Sequence, residues 1–448
     1  MVNEVVVLGA GLAGSEAAWQ LAQRGIPVVL YEMRPAVMTP AHQTGAMAEL
    51  VCSNSLKSDE PGTAPNLLKE ELRRLGSLLM SVADQYKVPA GSALAVDRER
   101  FSAEVTQRLR AHPLVTVVGQ EAQRLPCEGL CIIATGPLTS PALTAAIADF
   151  TGHSHLYFYD AISPVVDAES IDFHRAFRAA RYDKGGEDYV NCPMTPAEYD
   201  DFYQTLLAAE SAPLHGFEKA MYFEGCLPIE ELARRGRETL LFGPMKPVGL
   251  IDPHTNLRPY AVVQLRVENL MANAYNMVGF QNHLKFPEQK RVFRMIPGLE
   301  NAEFFRLGQI HRNTYINSPR VLRPTLQTHK DERVFFSGQI CGVEGYVECI
   351  ATGLMAGINA ARMRFGQPAL IFPRQTACGS LTHYVTKADP NHFQPANINF
   401  ALLPTLPVTE SRQWRSKQER RREQVRRGLE ALTAFQRDLG ETTATRGA

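Results

Sequence analysis

Residues 4–32 constrain this chain more than any other stretch. Val5-Val6-Val7-Leu8 is a short apolar run, followed by Gly9-Ala10-Gly11-Leu12-Ala13-Gly14 and a helical pattern through Ala17, Ala18, Leu21 and Ala22. A second apolar run, Val28-Val29-Leu30, ends at Tyr31-Glu32. Strand, glycine loop, helix, strand and acid in this order make a βαβ unit built for a dinucleotide. Gly9 permits the tight turn, Gly11 lets the backbone approach a pyrophosphate, and Gly14 lets the helix pack close to the strand. The helix N-terminus offers free N–H groups and a positive dipole to the phosphates. Glu32 can accept from ribose hydroxyls, which suits FAD or NAD better than NADP.

The 448 residues allow two large domains or three smaller ones. Formal net charge is zero, so overall charge announces no nucleic-acid partner. No apolar run approaches the ~20 residues needed to span a membrane. The first strand begins almost at once, leaving no room for a signal peptide. Of the eight cysteines none forms a C-x-x-C pair, and no histidine completes a zinc set around Cys127 and Cys131. No metal site is expected. Free thiols in a reducing cytosol are the expectation, and with it a cytoplasmic location.

Residues 36–65 are rich in Pro, Gly, Ser, Thr and Asn, a polar loop too long to be a mere connection. Asn66 is placed to cap a helix with Leu67, Leu68, Leu72, Leu75, Leu78, Leu79 and Val82 on its apolar face. Leu130-Cys131-Ile132-Ile133-Ala134-Thr135-Gly136 reads as a buried strand running into a turn at Gly136, and Met194-Thr195-Pro196-Ala197-Glu198 opens a helix. The dinucleotide pattern returns late. A strand and turn at 333–340, with Gly338, Gln339 and Ile340 at the turn, lead through Gly342-Val343-Glu344-Gly345-Tyr346 into a helix. The expected fold is α/β: a Rossmann-like FAD-binding domain of the glutathione-reductase-like flavoprotein type, discontinuous over 1–155 and 325–405. An inserted α+β substrate domain is expected over 156–324, and a basic, helical C-terminal tail over 406–448. Between Arg412 and Arg427 eight Arg or Lys stand against two Glu. That run is either a solvated helix face or a phosphate-contacting surface.

Cys52 lies inside the long polar loop, and Cys226 lies in Phe223-Glu224-Gly225-Cys226-Leu227-Pro228-Ile229-Glu230. A thiolate can add to an electrophilic ring carbon such as C6 of a uracil, and a second thiol can take the C5 proton. The alternative for each is a small buried hydrophobe. Polar clusters around Lys246, around Gly279-Phe280-Gln281-Asn282-His283, and at His311-Arg312-Asn313-Thr314 set turn residues beside a cation, amide or imidazole. A flat heteroaromatic ligand with an acidic tail needs such groups.

From the Gly9–Gly14 loop to about residue 405 the chain resembles the folate- and flavin-dependent tRNA uracil-5 methyltransferases (TrmFO), relatives of the GidA flavoproteins. The most specific matching pieces are Val51-Cys52-Ser53-Asn54-Ser55-Leu56, the 223–230 segment, Phe242-Gly243-Pro244-Met245-Lys246-Pro247-Val248-Gly249-Leu250, and Gly338-Gln339-Ile340 with Gly342-Val343-Glu344-Gly345-Tyr346. The resemblance implies FAD reduced by NADPH or NADH, and 5,10-methylenetetrahydrofolate as one-carbon donor. It implies the T-loop uridine in the T-arm of tRNA as target, giving ribothymidine, with no obligate protein partner. By motif position it implies Cys226 as nucleophile on the uracil, Cys52 as handler of the C5 proton, and His283 stacked on the pterin. Lys246 and Tyr346 are grouped with the folate and substrate site.

Three other readings compete: a GidA-like enzyme acting on a wobble uridine, a flavin oxidoreductase of small molecules, and a non-catalytic FAD-stabilised RNA-binding protein. The GidA-like proteins are longer and need a partner subunit, so length disfavours the first. For tRNA phosphates, Arg306, Arg312, Arg320 and Arg323 are the expected main contact, with the tail adding a weaker attraction whose removal leaves flavin content unchanged.

Overall fold

The computed structural model describes residues 4–153, 156–183, 186–212, 227–406 and 416–444. The first third gives β1 (Val5–Leu8), α1 (Leu12–Ala22), β2 (Val28–Tyr31), β3 (Ser55–Ser58), α2 (Ala64–Arg74), α3 (Leu78–Gln85), β4 (Lys87–Val88), β5 (Ala93–Val96), α4 (Arg98–Ala111), β6 (Val115–Val118), β7 (Leu130–Ile133) and α5 (Pro141–Thr151). The middle gives β8 (Leu156–Ala161), β9 (Val165–Asp167), β10 (Phe177–Arg178), β11 (Tyr189–Met194), α6 (Pro196–Ala208), α7 (Ile229–Arg234), α8 (Thr239–Phe242), β12 (Ala261–Val267), β13 (Ala274–Met277), α9 (Phe286–Phe293), β14 (Phe304–Arg306) and β15 (Ile310–Tyr315). The last part gives α10 (Ser318–Val321), β16 (Val334–Phe336), α11 (Tyr346–Arg364), α12 (Ala377–Lys387) and α13 (Lys417–Ala444).

The apolar β-branched runs at 5–8, 28–31, 115–118, 130–133 and 334–336 suit strands covered on both faces. They form one parallel sheet in the order β16-β7-β1-β2-β6. From β1 the chain winds outward through β2 to β6, then returns to lay β7 on the other side of β1. The strand order therefore reverses between β1 and β7, where an open α/β sheet makes its ligand crevice at the carboxyl ends. Helices α1 and α11 pack together with almost no spacing. A Cβ on Gly353 would stand 2.2 Å from the Ala13 carbonyl oxygen, and one on Gly357 would stand 2.8 Å from that of Ala17.

A six-stranded sheet, order β10-β11-β12-β13-β9-β14 with antiparallel neighbours, is built from residues 165–306. The ribbon β8–β15 pairs Leu156 with Tyr315 and Ala161 with Ile310, so the chain leaves for this sheet and comes back from it side by side. Each large sheet has its own apolar core. Val88, Ala90 and Ala95, early in the chain, pack in the second core, and so tie the β3-β5-β4 sheet to the middle of the chain.

Local signals explain most boundaries, with two corrections. The single helix expected from Leu67 to Val82 is two, α2 and α3, broken at Gly76, whose φ of +75° ends the first, and restarted by Ser77, whose side chain accepts from the Met80 N–H. Thr63, not Asn66, caps α2: its side chain accepts from the Asn66 N–H, and Pro65 occupies the first turn, where a missing N–H costs nothing. Helix α6 opens where expected, with a full capping box between Thr195 and Glu198. Helix α13 is not a free tail: Leu432 and Phe435 are buried in the first core, with the Phe435 ring 4.7 Å from that of Phe372.

Candidate functional site

The crevice at the strand reversal is lined by Gly9, Gly11, Leu12, Ala13, Glu32, Arg34, Gly136, Gly338, Gln339 and Tyr346, among others. Its floor is set by backbone geometry. Gly9 has φ +93°, and a Cβ there would meet the Ala134 carbonyl oxygen at 2.7 Å. A Cβ on Gly14 would lie 1.8 Å from the Gly9 carbonyl oxygen. At Gly11, by contrast, a Cβ would meet nothing within 4 Å, because it would project into the crevice. Gly9 and Gly14 thus serve the fold, and Gly11 keeps space open. Helix α1 starts beside this space with no side-chain cap, so its first N–H groups and dipole face the crevice.

Glu32 stands at the end of β2. Its Oε2 accepts from the Ala10 N–H at 3.0 Å and its Oε1 from Arg34 Nε at 2.9 Å. Burial pushes this carboxyl up, but the Arg34 hydrogen bonds and charge, with the Ala10 N–H, outweigh it and hold the group below its usual range. It stays ionised and fixed at the mouth of the crevice. Arg34, which also reaches Glu49, was not singled out from the sequence; a cation two residues past the acid was the available signal. Ala10 acts through its N–H on Glu32. Ile340 is fully buried, its carbonyl receiving the Ile316 N–H, and it does not line the crevice.

At another part of the crevice wall, Val51 and Tyr346 bring in the Cys52 loop. The Tyr346 hydroxyl accepts from the N–H of Cys52 at 2.7 Å and of Ser53 at 3.1 Å. Arg306 donates to the carbonyls of Val51 at 2.9 Å and Cys52 at 3.2 Å. Arg98 donates to Leu50 O at 2.8 Å and pairs with Glu268 at 2.9 Å. Asn54 is fully buried; it donates to the carbonyls of Val96 and Val267 and accepts from Arg266 Nε at 3.0 Å. Residues 50–54 are therefore gripped by α4, α11, β12 and β14 together.

This corrects the arginine surface expected from the sequence at one member, Arg306. Arg306 faces inward, and burial pushes its guanidinium down to about 10. Arg320 bonds Asn391, Arg323 faces Glu332 at 3.7 Å, and the side chain of Arg312 lies outside the described residues.

Cys226 also lies outside the described residues; they resume at Leu227. Lys246 lines a separate cleft of the middle sheet region with Phe242, His254, Arg258 and Tyr260. His283 is buried, and its backbone N–H donates to Glu230 Oε1 at 2.8 Å. Burial pushes its imidazole down, and among the described residues its Nε2 has no hydrogen-bond partner. Burial pushes Glu230 up to about 7, and its Oε2 is likewise unpartnered. Glu230 was missed in the sequence; its signal is an acid four residues after a cysteine in a turn. Among the described residues no group of three His, Cys, Asp or Glu could hold a metal. No described helix is long and apolar enough to cross a membrane.

A parallel sheet with a reversed strand order, a glycine loop at the reversal and a second, inserted sheet defines a dinucleotide-binding α/β protein of the Rossmann-like flavoprotein class. The family described as Glucose inhibited division protein A matches residues 4–368. The chain is 58% identical to the methylenetetrahydrofolate–tRNA-(uracil-5-)-methyltransferase TrmFO of Heliobacterium modesticaldum, over 96% of this chain and 97% of that protein. It is 58% identical to the TrmFO of Pelotomaculum thermopropionicum, over 97% of this chain and 99% of that one. The chain belongs to the TrmFO family, within the wider GidA group. Among solved structures, Aquifex aeolicus GidA in one crystal form matches 96% of this chain and 76% of its own at 19% identity and a TM-score of 0.67, a likeness of fold.

Proposed function

We propose that this protein is a methylenetetrahydrofolate–tRNA-(uracil-5-)-methyltransferase that uses FAD. The observation that carries the reading is near-complete coverage, at 55–59% identity, by relatives of that name. The open space at Gly11 beside an uncapped helix N-terminus supports a bound pyrophosphate. In this reading the Gly9–Gly14 loop holds that group, Glu32 with Arg34 holds the adenosine ribose, and Gly136, Gly338 and Gln339 border the cofactor. Residues 1–155 and 325–405 form the FAD-binding domain, and 156–324 the tRNA-facing one.

Bound FAD, reduced by NADPH or NADH, would supply the hydride that turns the transferred methylene into a methyl. The chain's own groups do the rest. The Cys226 thiolate adds to C6 of the T-loop uridine, moving the ring π pair onto C5 and O4. C5 then takes the methylene carbon of 5,10-methylenetetrahydrofolate, Cys52 takes the C5 proton, and tetrahydrofolate departs with the electron pair of the C–N bond, leaving a methylene on C5 to accept the hydride. Cys226 leaves again when the C5=C6 bond re-forms. His283 and Lys246 serve the folate, and Tyr346 keeps Cys52 in place. The target base must first leave its stack, at a cost of a few kcal/mol that is smaller in a loop than in a duplex. The reading is of a cytoplasmic enzyme with no obligate protein partner.

The test supplies purified protein with NADPH or NADH, methylenetetrahydrofolate and a tRNA transcript carrying C5-tritiated uridine. Tritium release together with 5-methyluridine in the digested tRNA is expected. Nicotinamide oxidation with neither would sink the reading in favour of a small-molecule oxidoreductase.

A further inference from the structure

The Cys52 loop is surrounded by an unbalanced charge set. Arg98 on α4, Arg266 on β12 and Arg306 on β14 converge there: Arg306 donates to the Cys52 carbonyl at 3.2 Å, Arg98 to the Leu50 carbonyl at 2.8 Å and Arg266 to the Asn54 side chain at 3.0 Å, which sets three guanidiniums around the residue. The other titratable groups of the cluster are Glu268, which follows β12, Tyr346 on α11 and Tyr189 on β11. Both phenols are pushed up by burial and stay neutral. Among the described residues three cations therefore face one carboxylate. The imbalance is enclosed: Arg266 and Glu268 are buried, and the Arg306 Nε is a buried donor without a partner. Buried cations in excess of buried anions are costly unless an anion joins them. The backbone carbonyls that Arg306 holds supply dipoles, not charge.

We propose that Cys52 rests as a thiolate, held by the guanidiniums of Arg98, Arg266 and Arg306. The thiol proton goes to solvent and the sulfur keeps the electron pair, so no co-reactant is needed. A cysteine beside arginines is half-ionised between about 3.5 and 7.5, against about 8.5 for a free one. The inference deepens the proposed role of Cys52 as proton acceptor at C5, since only the thiolate can accept. It supplies what that role leaves open, the form in which the residue waits.

The test reads ionisation, not turnover. The holoenzyme is treated with iodoacetamide from about pH 5 to about pH 10, and alkylation of the Cys52 and Cys127 peptides is followed by mass spectrometry. Cys127 is exposed and serves as the reference thiol in the same molecule. Cysteine-¹³Cβ NMR, assigned with Cys52→Ser, reads the same ionisation if the reagent cannot enter. Cys52 should ionise at least about one pH unit below Cys127. Arg306→Gln should raise its midpoint, Arg306→Lys should bring it most of the way back, and Glu268→Gln should lower it. The opposed directions keep the test alive if one variant folds poorly. A midpoint at or above that of Cys127, or one that none of these substitutions moves, would overturn the thiolate. Failure of methylation with an intact low midpoint would remove the methyltransferase reading and leave the thiolate standing.

Discussion

The hydroxyl of Tyr346, at the start of α11, accepts the backbone N–H of Cys52 at 2.7 Å across 294 residues of sequence. The same oxygen accepts from Ser53, so one phenol satisfies two donors in the loop that bears Cys52. Tyr346→Phe keeps the ring and strands both donors. An unsatisfied buried donor costs about 1–3 kcal/mol. Urea unfolding should show a loss in that range, and methylation should fall more than flavin content does. Unchanged stability and rate would mean that water replaces the hydroxyl without penalty.

The three glycines of the loop should separate by substitution. Gly11→Val places its side chain in open space, so the chain should fold and be purified colourless. Gly14→Ala drives a methyl into the Gly9 carbonyl, so it should lower the melting temperature whether or not flavin is added. Absorbance at the flavin maxima and a thermal melt on each variant decide between the two outcomes. A yellow Gly11→Val protein would displace the phosphates from this loop.

Glu230 gives a pH signature. Burial raises it from 4.5 in the open chain to about 7 in the fold. The folded state therefore holds its proton more tightly, and the contribution is complete below the lower value and lost as pH rises through the upper. A tenfold change in proton affinity is worth about 1.4 kcal/mol, so Glu230→Gln should gain on the wild type by a few kcal/mol across that window. Denaturation midpoints measured at both ends of it test this; a constant difference would show the carboxyl to be hydrated.

The basic helix should prove partly structural. Arg426 and Arg427 pair with Glu423, and Arg421 stacks on Phe400 at 4.9 Å. Arg420 and Arg422 are exposed or half-exposed and remain for phosphates. Replacing both by Gln should reduce the slope of log affinity against log salt by about 0.9 for each phosphate they had neutralised, with flavin unaffected. Removing α13 altogether should uncover the first core around Leu432 and Phe435 and lower the melting temperature.

The glycine-loop side of the crevice was legible because its determinants lie within the stretch from Val5 to Glu32 and each glycine answers a local demand. Glu32 was legible for the same reason. The grip on Cys52 was not, since Arg98, Arg266, Arg306 and Tyr346 reach it from four elements scattered along the chain, and no spacing rule links them. Arg306 read as a surface cation because nothing in its neighbours reveals that β14 turns it inward. The α2 cap was misplaced by three residues because Asn and Thr are both good caps, and only the Pro65 ring decides between them.

The late arrival of β16 and α11 sets a schedule for biosynthesis. The glycine loop leaves the ribosome well ahead of its sheet edge and of the helix that lies against α1, which come more than 300 residues later. Until then the small-residue face of α1 has nothing to cover it, and the pairing that closes the sheet is highly non-local. A nascent chain halted after β15 would carry the whole phosphate loop and still hold its nucleotide poorly. A nucleotide at the glycine loop would thus gain its full enclosure only once β16 and α11 have been made.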